Sequence, residues 1–197
     1  HAVTEAVRLK NLHPDSQITA ICLGSPDAQK TIRSAMAMGA DNGILIETPA
    51  VLDSIMIARA LVRVMERAGM PDIIFTGKES IDAEGMQTMF RMGTLLDIPV
   101  ASNVVKLDLE NGCAVVNVDY AGGLYQRYSL TLPCVIGAGR GLNTPRYPTF
   151  RDVMLSKKKQ IERIPLESLD IDTPASRVTC MSLEPLVQDR KAAPIKG

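Results

Sequence analysis

The sequence has no tryptophan, two histidines and four cysteines, and this scarcity excludes most metal and disulfide-based sites. The four cysteines are widely separated and form no CxxC pair; they are Cys22, Cys113, Cys134 and Cys180. His1 and His13 are too few to complete a Cys/His zinc set. We therefore expect no metal site and a reducing compartment.

A long hydrophobic run and a net charge are also lacking. The 22 basic residues balance the 22 acidic ones, so no overall field draws the chain to nucleic acid or to an anionic membrane. The hydrophobic share of 46% contains no stretch long enough to span a bilayer. A length of 197 residues suits one core with an appendage.

Motifs of side-chain catalysis are missing as well. The sequence contains no nucleophile elbow, no HExxH helix and no Walker A loop. Both histidines belong to the amino-terminal region, away from the predicted strand ends. We therefore expect no catalytic residue in this chain.

Short apolar strands alternate with helices over the first hundred residues. This pattern predicts a Rossmann-like α/β fold, a parallel sheet with helices on both faces and right-handed crossovers. The chain opens in a helix where such a domain usually opens on a strand, so we expect a first strand to precede residue 1. The predicted strands are 17–24, Ile44–Glu47 and Ile73–Thr76, and helices follow at 25–39, Leu52–Ala68 and from about Gln87 to Leu96.

After Pro99 the apolar period changes to that of an antiparallel meander. Val104–Leu109 and Ala114–Tyr120 flank Asn111-Gly112, a two-residue hairpin signal, and Leu124–Leu132 follows. These segments predict a hairpin extension of the sheet. From Gly137 onward the periodicity is lost, and repeated prolines favour an extended arm with short helices.

The most informative segment leaves the carboxyl end of a predicted strand and enters a helix. Ligands of open α/β sheets bind at such ends, where unpaired amides and the helix dipole attract a phosphate. Gly77 and Gly85 allow close backbone approach, Thr88 offers a hydroxyl and Lys78 a positive charge. The segment predicts a nucleotide cradle; a polar loop capped by its own carboxylates is the open alternative. Its residues are Gly77, Lys78, Glu79, Ser80, Ile81, Asp82, Ala83, Glu84, Gly85, Met86, Gln87 and Thr88.

Two later segments invite interpretation. Gly137–Gly141 follows a predicted strand but lacks the helix of a dinucleotide fingerprint, so it is either a loop that brings Arg140 to the ligand edge or a simple turn.

The segment Arg146, Tyr147, Pro148, Thr149 and Phe150 is rich in residue types of protein–protein hot spots. It predicts a docking surface; the alternative is that Tyr147 and Phe150 pack on their own domain.

Several separated motifs, in order from about residue 2 to about residue 165, resemble the electron-transfer flavoprotein β-subunit family. They are Glu5–Lys10, Thr31–Asp41, Gly77–Asp82 with Gln87-Thr88, and Leu142–Tyr147 followed by Lys157–Lys159. The chain differs from the usual pattern at Met89, Phe90 and Arg91, where small residues are common, and at Val118-Asp119, where an Arg-Glu pair is common.

The resemblance implies a heterodimer with an α subunit, whose shared FAD carries electrons from acyl-CoA or related dehydrogenases towards a membrane quinone reductase. It implies AMP, or a second FAD, in this subunit, held by Gly77–Thr88 with a contact near Leu23 and Gly24. It implies dehydrogenase docking through Arg146–Phe150, with Phe150 in place of the usual leucine anchor. The compartment implied is the bacterial cytoplasm or the mitochondrial matrix.

The expected organisation is a nucleotide-binding domain over residues 1–145, and a docking loop with an arm lying on a partner subunit over 146–197. An electron carrier needs a held cofactor and a docking surface rather than a nucleophile, which suits a motif-poor chain. Two other classes remain open. An adenylate-binding ligase or hydrolase requires a glycine-rich loop that Gly24–Asp27 lacks, and a ligand-sensing domain leaves the arm unexplained.

Overall fold

The computed structural model describes residues 1–80, 85–120, 123–171, 181–182 and 184–185 of the 197-residue chain. The five helices of this part are α1 (Ala2–Leu12), α2 (Gln29–Met38), α3 (Ser54–Ala68), α4 (Thr88–Leu96) and α5 (Phe150–Lys158). Its strands are β1 (Thr19–Gly24), β2 (Asn42–Glu47), β3 (Ile73–Gly77), β4 (Val100–Glu110), β5 (Cys113–Asp119), β6 (Tyr125–Thr131), β7 (Cys134–Ala138) and β8 (Glu162–Pro165). Two 3₁₀ turns occupy Pro26–Ala28 and Leu166–Leu169.

The described strands form two sheets, with the orders β1-β2-β8 and β3-β7-β4-β5-β6. Every pairing in the first sheet is parallel, as are β3 with β7 and β7 with β4. The pairings of β4 with β5 and of β5 with β6 are antiparallel. The predicted α/β class, with a parallel sheet and an antiparallel hairpin extension, is confirmed. The division into two sheets is a feature that strand periodicity did not reveal.

Local sequence explains where the helices begin and end. The Asp53 carboxylate caps α3 by accepting hydrogen bonds from the amides of Ile55 and Met56. Gly39 ends α2 with φ of 132°, a value that only glycine adopts without strain. At the hairpin turn, Asn111 and Gly112 both take positive φ, as a two-residue turn between twisted strands requires.

Helix α3 joins the two halves of the core. One side of the helix packs in a cluster with the first sheet and the carboxyl-terminal segment: Ala60 and Val64 with Ile44, Ile46, Ile164, Leu166 and Leu169. The other side packs in a cluster with the second sheet and α4: Ala58, Val62 and Met65 with Ile74, Met89, Met92 and Val135. One amphipathic helix therefore buries apolar side chains of both sheets.

The segment after residue 150 was predicted as an extended arm with short helices that lies on a partner; the structure has the short helix α5, but part of this segment packs on its own chain. Helix α5 packs on α2, and β8 pairs in parallel with β2. Ile164 and Leu169 then enter the core beside α3. Residues 150–169 therefore pack on their own chain; the proline-rich sequence hid this because β8 is four residues long and lies at a sheet edge, where Pro165 is tolerated. The rest of the predicted arm lies outside the described residues, except 170–171, 181–182 and 184–185.

Candidate functional site

The carboxyl ends of the parallel strands bring two helix starts together. Helix α3 follows β2 and helix α4 follows β3, and the Ser54 hydroxyl on the first turn of α3 donates to Gln87 Oε1 at 3.1 Å, beside the start of α4. In the second sheet, Gly77 at the end of β3 pairs with Ala138 at the end of β7. The first part of the predicted nucleotide cradle therefore lies at a shared sheet edge, where α/β proteins bind ligands.

The start of α4 differs from that of α3. Asp53 caps α3 with its own side chain, whereas Gln87, the residue at the start of α4, makes no capping hydrogen bond with its side chain. The first amides of an α-helix have no partner within the helix and carry the positive end of its dipole. This start therefore suits an anionic acceptor.

Gln87 is held at its oxygen by two donors. Besides Ser54, the Arg91 Nη2 donates to Gln87 Oε1 at 2.6 Å. With the oxygen engaged in this way, the NH₂ group of Gln87 is its remaining donor for an acceptor on a ligand. Arg91 Nε is buried and has no hydrogen-bond partner within the described part of the chain, so the guanidinium keeps a further donor at this place. Sequence patterns singled out Gln87 but gave Ser54 and Arg91 no role. The Ser54 contact joins two helices, whereas Arg91 contacts the residue four positions earlier, at the start of its own helix.

Gly77 leaves room beside the strand end. A Cβ built on Gly77 meets no heavy atom of the described residues within 4 Å, and Gly77 is itself exposed. At Gly24 a Cβ would lie 3.2 Å from the Cβ of Ala28, in the turn that follows β1. Among the described residues, the open space at Gly77 and a helix start without a cap from the Gln87 side chain are compatible with an anionic ligand.

The other cradle residues have mixed positions. Lys78 forms an ion pair with Glu79 at 3.2 Å, with both side chains more than a third exposed, so its charge is partly neutralised. Met86 takes a positive φ of 48° immediately before Gln87. Ser80, Gly85 and Gln87 are exposed, while Leu23, Gly24, Met86 and Thr88 are half-buried. The predicted cradle residues Ile81, Asp82, Ala83 and Glu84 lie outside the described residues.

The second glycine group continues from β7 at the same edge. The amide of Gly139 donates to the carbonyl of Val104 at 2.8 Å, and the exposed Arg140 follows. A Cβ on Gly139 would come within 2.8 Å of Asn103 Oδ1, so only glycine fits against this irregular part of β4. The sequence left two alternatives for this segment, a simple turn and a loop that brings Arg140 to the ligand edge. The structure is compatible with both, because the turn at Gly139 is followed by Arg140 at this edge.

The predicted docking segment projects from the surface. Tyr147 is 86% exposed and Phe150 is 83% exposed, so neither packs on its own domain, and that alternative was wrong. Thr149 and Asp152 form a capping box at the start of α5. The backbone and side-chain hydrogen bonds of Thr149, with smaller effects of the charges of Arg146 and Arg151, hold the pKa of the Asp152 carboxyl below its usual value.

Helix α5 extends this exposed surface. Val153, Met154 and Leu155 are all more than a third exposed, and Ser156 is the buried residue of the helix. Tyr147, Phe150, Val153, Met154 and Leu155 therefore form an exposed apolar set, which we call the docking surface, followed by Lys157 and Lys158. Phe150, Val153 and Met154 have the i, i+3, i+4 spacing of one helix face, and exposed apolar side chains grouped in this way mark interaction sites.

Two other kinds of site are absent from the described residues. They contain no group of three or more His, Cys, Asp or Glu side chains arranged to hold a metal ion. Among the helices in the same ranges, none has the length and hydropathy needed to cross a membrane.

Comparison with known proteins agrees with this arrangement. Residues 1–169 match the family described as "Electron transfer flavoprotein domain". Among curated relatives, the electron transfer flavoprotein subunit beta of Mus musculus is 38% identical over 187 residues, covering 93% of this chain and 72% of the relative. The protein of the same name from Dictyostelium discoideum is 37% identical, covering 87% and 68%, and that of Bacillus subtilis is 33% identical, covering 98% and 75%. This chain belongs to the electron transfer flavoprotein family.

Proposed function

We propose that this chain is the β subunit of a heterodimeric electron-transfer flavoprotein, an electron carrier without side-chain catalysis of its own. It pairs with an α subunit, binds AMP or a second FAD, and passes electrons from acyl-CoA-type dehydrogenases towards a quinone reductase. The bacterial cytoplasm, or the mitochondrial matrix in a eukaryote, is the compartment in which it works. The similarity to subunit beta proteins over 87–98% of the chain supports the carrier role.

The observation that carries the nucleotide proposal is that, within the described residues, α4 begins without a cap from the Gln87 side chain and Gly77 has open space at the end of β3. In this proposal the main-chain amides after Gln87 meet the phosphate, because they are unpaired within the helix and lie at its positive end. The Gln87 NH₂ adds a side-chain donor. Leu23 and Gly24, at the end of β1, contact the nucleotide at the neighbouring strand end. The adenine nucleotide stabilises the folded subunit because it binds only that state.

The electron-carrying group is the FAD shared with the α subunit. This FAD accepts and releases electrons reversibly. The role of this chain is to help hold that group and to dock. Docking falls to the segment Arg146, Tyr147, Pro148, Thr149 and Phe150 and to the exposed face of α5, because a large exposed aromatic side chain on a capped helix is a ready anchor for a pocket on a dehydrogenase.

Nucleotide analysis of the purified α/β complex tests the first part. After denaturation, we expect about one FAD per complex from the shared site, together with one AMP or a second FAD from this subunit. Release of the shared FAD without any second nucleotide would remove the assignment of Gly77–Thr88. A chain that remains monomeric and binds no FAD on co-expression with its α subunit would overturn the carrier proposal itself.

Replacement of Phe150 tests the docking part. Phe150→Ala should raise the KM of an acyl-CoA dehydrogenase for the α/β complex by about tenfold or more, because truncation of an aromatic anchor costs on the order of 2 kcal/mol at an interface. Tyr125→Ala is the matched control, since Tyr125 is 60% exposed on β6, outside the docking surface. An unchanged KM with Phe150→Ala would remove this assignment.

A further inference from the structure

Helix α5 carries the docking surface and packs on α2. It is nine residues long, and such a helix is marginal when isolated. Most of its side chains are exposed, and Ser156 is its buried residue. The orientation of the docking surface therefore depends on the contacts that hold the two ends of this helix.

The carboxyl end of α5 is held by a cation from another helix. Arg33, in the middle of α2, is half-buried and donates hydrogen bonds from Nη1 to the carbonyl oxygens of Ser156 and Lys159. These carbonyls lie at the end of α5, where the dipole is negative; the Ser156 carbonyl also accepts a hydrogen bond from the amide of Lys159 at 3.2 Å. The charge and the geometry of Arg33 both suit this place.

A second cation makes the contact reciprocal. The Nζ of Lys159 donates to the carbonyl oxygen of Ala40, just after the end of α2, at 2.7 Å. Lys159 is half-buried, whereas Lys157 and Lys158 are exposed. Each helix therefore has a cation from the other near its carboxyl end. We call Arg33, Lys159 and the three carbonyl groups the α2–α5 clamp.

We infer that Arg33 is a positioning residue for the docking surface, which it orders through the α2–α5 clamp without touching the partner. The inference rests on the proposed docking function. The capping box of Thr149 and Asp152 fixes the amino end of α5, and Arg33 fixes the opposite end, so Phe150 and Met154 are presented on a helix defined at both ends. Loss of the clamp lowers the fraction of molecules in which α5 is ordered, and the apparent affinity falls by the same factor.

The test uses the α/β complex and an acyl-CoA dehydrogenase reduced by its acyl-CoA substrate. Arg33→Met should raise the KM for the complex by about fivefold, with kcat and the flavin absorbance spectrum unchanged, and Arg33→Lys should restore part of the loss. Amide hydrogen exchange in residues 151–158 should become faster. Arg63→Met is the matched control, because Arg63 Nε also donates to a main-chain carbonyl, that of Leu169, far from α5 in the chain.

A double-mutant cycle separates positioning from a general loss of stability. If Arg33 acts through the docking surface, Arg33→Met should add less than twofold to the KM of Phe150→Ala, whereas independent effects would multiply in full. An unchanged KM for Arg33→Met, or full multiplication with Phe150→Ala, overturns the inference. If Arg33→Met does not fold, Lys159→Met breaks the other half of the clamp and is judged by the same two criteria. If Phe150→Ala raises the KM and Arg33→Met does not, the positioning role alone is contradicted. If Phe150→Ala leaves the KM unchanged, the docking proposal is contradicted.

Discussion

The Nδ2 of Asn143 donates a hydrogen bond at 2.8 Å to the carboxylate of Glu5, which is only 1% exposed and lies 138 residues earlier in the chain. Arg8 Nε donates to the same carboxylate at 2.8 Å, and Arg8 Nη2 donates to the carbonyl of Leu107 at 2.7 Å. This network ties α1 to the loop that leads into the docking segment.

Replacement of Glu5 by Ala should destabilise the fold by about 2 kcal/mol, because it leaves the Asn143 amide and the Arg8 guanidinium without their acceptor in a partly buried place. The estimate is kept low since Arg8 is 40% exposed and water can replace part of the lost interaction. Urea unfolding of the chain measures this change. Lys30→Ala, which removes an exposed ion pair on α2, is the control and should leave the midpoint in place. Equal midpoints for Glu5→Ala and Lys30→Ala would contradict the structural role of Glu5.

Gly77→Val tests the space beside the proposed nucleotide. The added Cβ meets no atom of the described residues within 4 Å, so the fold should tolerate it, and a β-branched residue suits the end of a strand. The side chain would instead occupy the open space and should weaken binding of AMP by at least about tenfold, or about 1.4 kcal/mol. Isothermal titration of nucleotide-depleted complex measures the affinity, and thermal unfolding without nucleotide provides the control. Unchanged affinity together with an unchanged melting temperature would show that the nucleotide does not approach Gly77.

Periodicity and turn chemistry predicted most of the fold, because they are local. The strand predicted at Ile73–Thr76, the helix predicted from about Leu52 and the Asn111-Gly112 turn each follow from residues that are close in sequence. The sequence also indicated exposure at Phe150 through the proline and aromatic content of its neighbours.

The missed features depend on contacts between distant segments. Strand β8 is stabilised because Ile164 and Leu166 pack in the core beside α3. No local sequence pattern predicts this contact. The roles of Arg33 and Ser54 likewise arise from carbonyl or amide oxygens of other helices. A sequence shows that an arginine is present, but it does not show which helix end the arginine reaches.

Cys134 should resist modification in the folded protein. Its side chain is fully buried in the core, and burial raises the pKa of the thiol to about 11. At pH 8 both the small thiolate fraction and the lack of access slow its reaction with iodoacetamide. Mass spectrometry of peptides after brief alkylation should show Cys134 labelled only when denaturant is added, and the half-buried Cys113 is the internal comparison. Rapid labelling of Cys134 in native buffer would mean that the β7 region opens readily.

The capping box at the start of α5 should make docking sensitive to acid. The Asp152 carboxylate accepts from the amide of Thr149 at 2.9 Å, and the pKa of Asp152 lies below its usual value chiefly because of the hydrogen bonds from Thr149. A carboxyl whose pKa is lower in the folded state than in the unfolded state adds stability above its unfolded pKa, about 3.9, and this stability is lost as the pH falls through the folded pKa. At neutral pH the contribution is therefore fully present. At neutral pH, Asp152→Asn should weaken the cap, speed amide exchange in the first turn of α5 and raise the KM for dehydrogenase. Below about pH 4, exchange in the first turn of α5 should depend less on pH in this variant than in the wild type. Exchange measured by mass spectrometry between pH 3 and pH 7 checks this, with Asp27→Asn on the turn before α2 as the control for loss of an exposed carboxylate. Identical exchange of the first turn of α5 in wild type and Asp152→Asn at neutral pH would contradict a stabilising cap.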